Sequence, residues 1–369
     1  MPVRWREAMQ RALYGPEGFF VSGSGPADHF RTSVHAAPAF ASALYRLVCR
    51  LNRALGFPAR FDVVDVGAGR GELLRALAAL AGPEGDHEGS PRHGGSPQAP
   101  PLARRLRLTA VELAPRPVDL PAEIAWVDAV PPGVTGLLLG TEWLDNVPLD
   151  VAVPDRDGWR YLLVDPATGA ETVGDPVTGA DADWLATWWP TPDGPDAGLG
   201  TPAAPTDSLG PVAPGALRAE IGRSRDGAWA DAVRRIDRGL ALAVDYGHLA
   251  DDRPVGGTLT GYRRGRQVPP VPDGSCDVTA HLAVDSAGAA GAAVAGTAYT
   301  SLGQREALRA LGADGGRPPL SLAATDPAGY LRALAAASAV AELTDPAGLG
   351  GHRWLLQPVG VDLDPLMAR

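Results

Sequence analysis

Apolar positions Leu44, Leu47, Val48, Leu51 and Leu55 recur at helical spacing between Pro38 and Leu55, the mark of one buried helix face. Residues 1–57 read as a helical segment with a loop from Gly15 to Arg31. From Phe61 to Val66 the pattern changes to a short apolar run, a buried strand. Leu73, Leu74, Leu77 and Leu80 then mark a helical stripe starting at Gly71. Further strands are expected at Leu106 to Leu113, Ile124 to Val127 and Val134 to Gly140. Strands alternating with helices imply parallel βαβ units. Asp157-Gly158, between the runs Leu149 to Val153 and Trp159 to Val164, signals a hairpin. Trp184, Trp188 and Trp189 stand at helical spacing and read as packing. A helix is expected from Ala216 to Arg238, a buried strand from Gly239 to Asp245, tail helices at Leu302 to Leu311 and Pro327 to Leu343, and a strand at Arg353 to Gln357. Gly82 to Pro101 and Thr191 to Gly215 are rich in Gly and Pro and read as solvent loops. The expected fold is α/β, a Rossmann-like sheet over residues 58–369 with insertions around 150–238 and 255–300, behind a helical segment at 1–57.

Composition narrows the chemistry. All basic residues among the 369 are Arg, so Schiff-base, P-loop-lysine and pyridoxal chemistry are excluded. The net charge of −10 argues against nucleic acid as the main partner. It suits a small cationic ligand or a basic protein substrate. Cys49 and Cys276 are far apart, with no CxxC or His-rich cluster, so neither a disulfide framework nor a metal site is expected. The N-terminus, MPVRWREAMQRALYG, lacks the apolar core of a secretory signal. Ala287 to Ala298 is apolar without Leu or Ile and would not insert in a bilayer. A cytoplasmic protein with no membrane partner is expected, of oligomeric state unspecified.

The strongest chemical signal is Asp65-Val66-Gly67-Ala68-Gly69-Arg70-Gly71-Glu72, where a buried strand meets a helix. Such glycines allow a tight turn and close ligand approach, and a helix start offers free amides. A dinucleotide fingerprint needs glycine at the position of Glu72, whose carboxylate would face a pyrophosphate. S-adenosylmethionine carries no phosphate, and Asp65 at the strand end suits its cationic part. The candidate cofactor residues are thus Asp65, Gly67, Gly69 and Gly71, with Glu112 for the ribose hydroxyls and Asp128 for the adenine amino group. Each also has a plain reading, as a structural turn or a solvated strand-end acid. In Thr141-Glu142-Trp143-Leu144-Asp145-Asn146-Val147-Pro148, Glu142 and Asp145 share a face if the turn is helical. Paired acids there could clamp a guanidinium, or simply mark a helix start. Asp245-Tyr246-Gly247-His248 ends another strand, with His248 a base or a loop residue.

In order along the chain, YGPEGFF, DHFRTS, DVGAGRGEL, VELAP, TEWLDNVPLDV, LAVDYGH, GTLTGYRRG, PDGSCDVTAHL, LGQREALRALG and GHRWLLQ resemble the MidA-like family of methyltransferases. The resemblance implies a class I methyltransferase sheet, S-adenosylmethionine as cofactor and protein arginine methylation. The chain departs from the family pattern at Thr141, where Asn is usual, at Ala68, where Pro is usual, and at Ala283, where an acid is usual. The cofactor half is better kept than the acceptor half.

The expected activity is methyl transfer to a protein arginine. Glu142 and Asp145 would hold the guanidinium, and His281 or Asp245 would take the proton. The alternatives are a cofactor-binding assembly factor with little turnover and a methyltransferase for another acceptor. A nicotinamide oxidoreductase is disfavoured by Glu72.

Overall fold

The computed structural model describes residues 1–21, 38–82, 100–190, 217–313 and 315–367. The chain divides into two compact units. The sheet unit draws its described residues from Arg31–Trp143, Asp231–Tyr246 and Gly291–Arg369. The second draws them from Met1–Phe30, Leu144–Ala230 and Gly247–Ala290. DHFRTS and all but the ends of the first Gly/Pro-rich loop lie outside the described residues, as does the whole of the second.

In the sheet unit, the apolar run Phe61–Val66 is buried along its whole length, as a strand covered on both faces must be. It forms β1. The other strands are β2 (Leu106–Val111), β3 (Ile124–Val127), β4 (Val134–Thr141), β5 (Ile236–His248), β6 (Thr300–Gly303) and β7 (His352–Val359). Their order is β6-β7-β5-β4-β1-β2-β3. β1 pairs in parallel with β2 and β4, β2 with β3, and β4 with β5. β7 is antiparallel to β5 and β6. The chain leaves β1 for β2 and β3 on one side and returns to β4 on the other. At such a switch point the loops beyond the carboxyl ends diverge and leave a crevice for ligands. This is the Rossmann-like α/β fold expected from the sequence.

The helix Pro38–Ala54 buries Leu44, Leu47 and Leu51 in one cluster with Leu73, Leu77, Leu108 and Leu242. The earlier helix Trp5–Tyr14 instead packs Trp5, Met9 and Leu13 with Leu149, Val151 and Val164 of the second unit. Residues 1–57 are therefore shared between the two units, because their two apolar faces match different cores.

The second unit contains the expected hairpin, Asp150–Asp155 with Gly158–Val164, but it turns at Arg156-Asp157, one residue before the expected Asp157-Gly158, because Gly158 already pairs with Asp155. Trp184 and Trp189 are buried against it, in a cluster with Ala152 and Ile221. The helix expected from Ala216 to Arg238 is shorter, Arg223–Val233. Ahead of it Ala219–Ile221 is a strand on Asp150–Asp155, and behind it the chain enters β5 at Ile236. Pairing partners distant in sequence override the local helical pattern there.

Candidate active site

The glycine turn begins where β1 ends at Val66 and finishes where the helix Glu72–Ala81 starts. Gly67, Gly69 and Gly71 have φ of 71°, 59° and 80°, a region that costs an L side chain about 1–2 kcal/mol. A Cβ on Gly71 would come within 2.7 Å of Leu120 Cδ1, so this glycine makes room for a side chain of the segment between β2 and β3. A Cβ on Gly69 would meet only Glu72 Oε2, at 3.4 Å. The turn is thus open at Gly69. A Cβ on Gly67 would lie 3.5 Å from that of Trp143, which sets the segment after β4 against the turn after β1.

Glu112, just past β2, accepts hydrogen bonds from the amides of Gly69 at 3.1 Å, Leu113 at 2.7 Å and Ala114 at 3.1 Å. Its carboxylate ties the turn to the next strand end. Two carboxylate oxygens offer about four acceptor sites, so the amides leave capacity for a ribose hydroxyl. Asp65 is only 2% exposed, and its Oδ1 has no hydrogen-bond partner among the described residues. Burial, then the negative charges of Glu112 and Glu72, push its carboxyl up to about 8. Asp128 is exposed in the bend after β3. A buried orphan acceptor, an open glycine and a partly used carboxylate fit a ligand with a cationic end and a ribose.

At the end of β4, Glu142 takes the left-handed φ of 52° and donates its amide to Val244 O of β5 at 2.9 Å. A non-glycine residue rarely adopts this conformation, and such strain gathers at functional sites. Its Oε1 lies 3.7 Å from Nε2 of His352, which is fully buried at the start of β7. Asp245 is buried in β5, within the strand and one residue past the β4 pairing Val244–Thr141. The sheet unit thus brings Asp65, the three glycines, Glu112, Glu142 and Asp245 to the carboxyl ends of adjacent strands.

Asp145 and His281 belong to the second unit. The Glu142–Asp145 segment does not form one helix: Glu142 is left-handed, and Asp145 lies in a separate one-turn 3-10 helix, Leu144–Asn146. The shared helical face expected from the spacing is therefore absent. The Asp145 carboxylate is buried and accepts from Thr279 Oγ1 at 2.7 Å. Burial pushes its pKa up, against the pull of Thr279 and Arg225. Asn146 donates to Asp277 Oδ1 at 2.7 Å. These contacts dock the acidic motif on the strand Asp277–Thr279. The side chain of His281 is exposed, and its amide donates to Thr258 Oγ1 at 2.7 Å.

Arg225, which carries no motif in the sequence, holds this region together. Its guanidinium is fully buried and donates to Val147 O at 3.0 Å, Ala280 O at 2.6 Å, His281 O at 3.0 Å and Asp145 O. A lone Arg in a polar helix reads as a solvated side chain, and only the fold turns it inward. His248 is buried too. Its Nδ1 lies 2.7 Å from an Arg253 guanidinium nitrogen, which can only donate, so Nδ1 accepts. Burial first, then Arg253, His281 and Arg225, lower its pKa to about 3. At neutral pH it is an uncharged packing residue and too weak a base to take a proton.

Among the described residues, no cluster of three or more His, Cys, Asp or Glu could hold a metal ion. None of the described helices is long and apolar enough to cross a membrane.

Two solved structures from Burkholderia thailandensis share this fold. One, described as a "likely methyl transferase" and bound to S-adenosylhomocysteine, is 24% identical with a TM-score of 0.71, over 98% of this chain and 89% of that one. The other, a native crystal structure of an uncharacterised protein of the same superfamily, is 23% identical with a TM-score of 0.70, over 98% and 88%. No protein of curated function matches the chain. The model of the family described as "Putative S-adenosyl-L-methionine-dependent methyltransferase" matches residues 98–301, more than half of the sequence. The chain belongs to this family of methyltransferases, and its cofactor is S-adenosylmethionine.

Proposed function

We propose that this methyltransferase acts on the guanidinium of a protein arginine, as its resemblance to the MidA-like family implies. The donor would lie along the glycine turn, with its ribose at Glu112, its cationic end toward Asp65 and its adenine near Asp128. The cofactor supplies an electrophilic methyl group on a sulfonium. The residues of this chain supply position. Glu142 would accept N–H groups of the guanidinium and turn one nitrogen toward the methyl. Alignment of that kind is the main source of rate in such a displacement. Asp245, buried at the same edge, stands as the group to receive the released proton.

The observation that carries the reading is Glu142 itself. It is a carboxylate in a strained backbone conformation, at the carboxyl end of β4, across the switch point from the glycine turn. A planar cation with paired donors is the natural partner of such a group. The acidic net charge of −10 favours encounter with a basic protein surface. Asp145 is left out of the guanidinium contact, because its buried carboxylate serves Thr279.

The test is incubation of a methyl-depleted native lysate with the protein and tritiated S-adenosylmethionine, then mass spectrometry of the labelled band. The expected result is label on arginine. Label confined to another residue type or to small molecules would overturn the arginine assignment.

A further inference from the structure

His352 has no exposed surface, and both of its ring nitrogens face acceptors. Nδ1 lies 2.6 Å from Leu349 O. Nε2 lies 3.7 Å from Glu142 Oε1. The Tyr246 ring, from the cross-strand partner of His352 in β5, covers one face of the imidazole with centroids 3.9 Å apart. Arg353 is its neighbour in β7, and Asp245 is the cross-strand partner of Arg353.

A neutral imidazole has one donor nitrogen and one lone pair. Whichever tautomer forms, the lone pair here faces either a carbonyl or a carboxylate. Only the doubly protonated ring donates toward both. Burial opposes the charge, and the carboxylate at 3.7 Å offsets that penalty. The carbonyl at Nδ1 and the ring of Tyr246 leave the imidazole little freedom to turn away.

From this juxtaposition we propose that His352 is a positioning residue for methyl transfer, an imidazolium that pairs with Glu142. It fixes Oε1 and so directs the rest of the carboxylate to the acceptor. The inference rests on the reading of Glu142 as the acceptor's partner. It assigns a function to a residue that the sequence marks only by its place in a tail segment, and it explains how a residue in a costly backbone conformation is held in one orientation.

The test is nitrogen NMR of the full-length protein labelled at histidine, titrated without donor or acceptor. The His352 signal is assigned by its loss in His352→Asn. Glu142→Gln, with its side chain partly exposed, is the partner variant. The expected result is a His352 midpoint at least about one pH unit higher in the parent than in Glu142→Gln, a tenfold change in protonation equilibrium. Above the parent midpoint the remaining proton should sit on Nδ1, bonded to Leu349 O. Equal midpoints in parent and Glu142→Gln would overturn the pairing, as would a high-pH ring protonated at Nε2. The titration needs no substrate, so its failure is distinct from failure of the acceptor reading, which shows only in the transfer assay.

Discussion

Glu112 accepts the amide of Gly69 at 3.1 Å across 43 residues of sequence, so the acid expected to hold a ribose also shapes the glycine turn. Glu112→Gln keeps the outline and replaces one acceptor oxygen by an NH2 group facing backbone amides. A charge-assisted bond is worth about 1.5–3 kcal/mol. Calorimetry with S-adenosylhomocysteine should therefore show binding weakened at least about tenfold, since that loss corresponds to such a ratio. Unchanged affinity would show that Glu112 neither shapes the turn nor touches the ligand.

Gly69→Ala adds a methyl group where only Glu72 Oε2 is near, at 3.4 Å. The fold should survive with a stability cost of about 1–2 kcal/mol from the left-handed backbone. Binding of S-adenosylhomocysteine should fall at least about tenfold, because the methyl occupies the open side of the turn. A folded variant with parental affinity would make the turn purely structural.

Asp65 sets a pH dependence. Its carboxyl titrates near 8 in the folded chain, against 3.8 as the ordinary value. Between these limits the folded state keeps a proton that the unfolded state has lost. Stability must then fall as pH rises across that window and level off above it. Asp65→Asn removes the slope, so its Tm advantage over the parent should be larger at pH of about 8 than at about 5. Donor affinity should drop in the same variant. Parallel Tm profiles would show that Asp65 is ionised throughout.

Glu142→Gln separates acceptor from donor. Methyl transfer should fall about a hundredfold, the cost of misplacing a reacting atom, while the Kd for S-adenosylhomocysteine stays within about threefold of the parent. Loss of the cofactor in this variant would make Glu142 a cofactor ligand. Unchanged turnover would reduce it to a structural strand end.

Arg225→Met should destabilise the second unit without touching the glycine turn. The carbonyls of Asp145, Val147, Ala280 and His281 lose their shared donor. An unsatisfied buried acceptor costs about 1–3 kcal/mol, so thermal unfolding should begin about 5 °C or more below the parent. A Tm within 1 °C of the parent, on the order of measurement error, would mean that water replaces the guanidinium.

The strands of the parallel sheet were legible because each is a short apolar run bounded by turn residues, and in β1 burial of every residue leaves no alternation to misread. The glycine turn was legible because its backbone demands glycine. Ala219–Ile221 was hidden inside a helical pattern, since its strand character comes from pairing with Asp150–Asp155. The acidic motif misled by spacing: Glu142 and Asp145 are three residues apart, but the left-handed φ at Glu142 breaks the helix that would align them. Arg225 and His352 meet partners far away in sequence, and no local pattern announces these contacts.

β7 lies between β5 and β6, yet it follows both in the chain. During synthesis, Gly239–Tyr246 must wait with one edge unpaired until His352–Val359 has emerged. Non-local pairing of this kind slows folding and exposes an apolar edge to wrong partners. The same late strand brings His352 to Glu142, so the end of β4 gains this neighbour only when β7 has joined the sheet. A nascent chain can therefore build its glycine turn early while the edge around Glu142 is still incomplete.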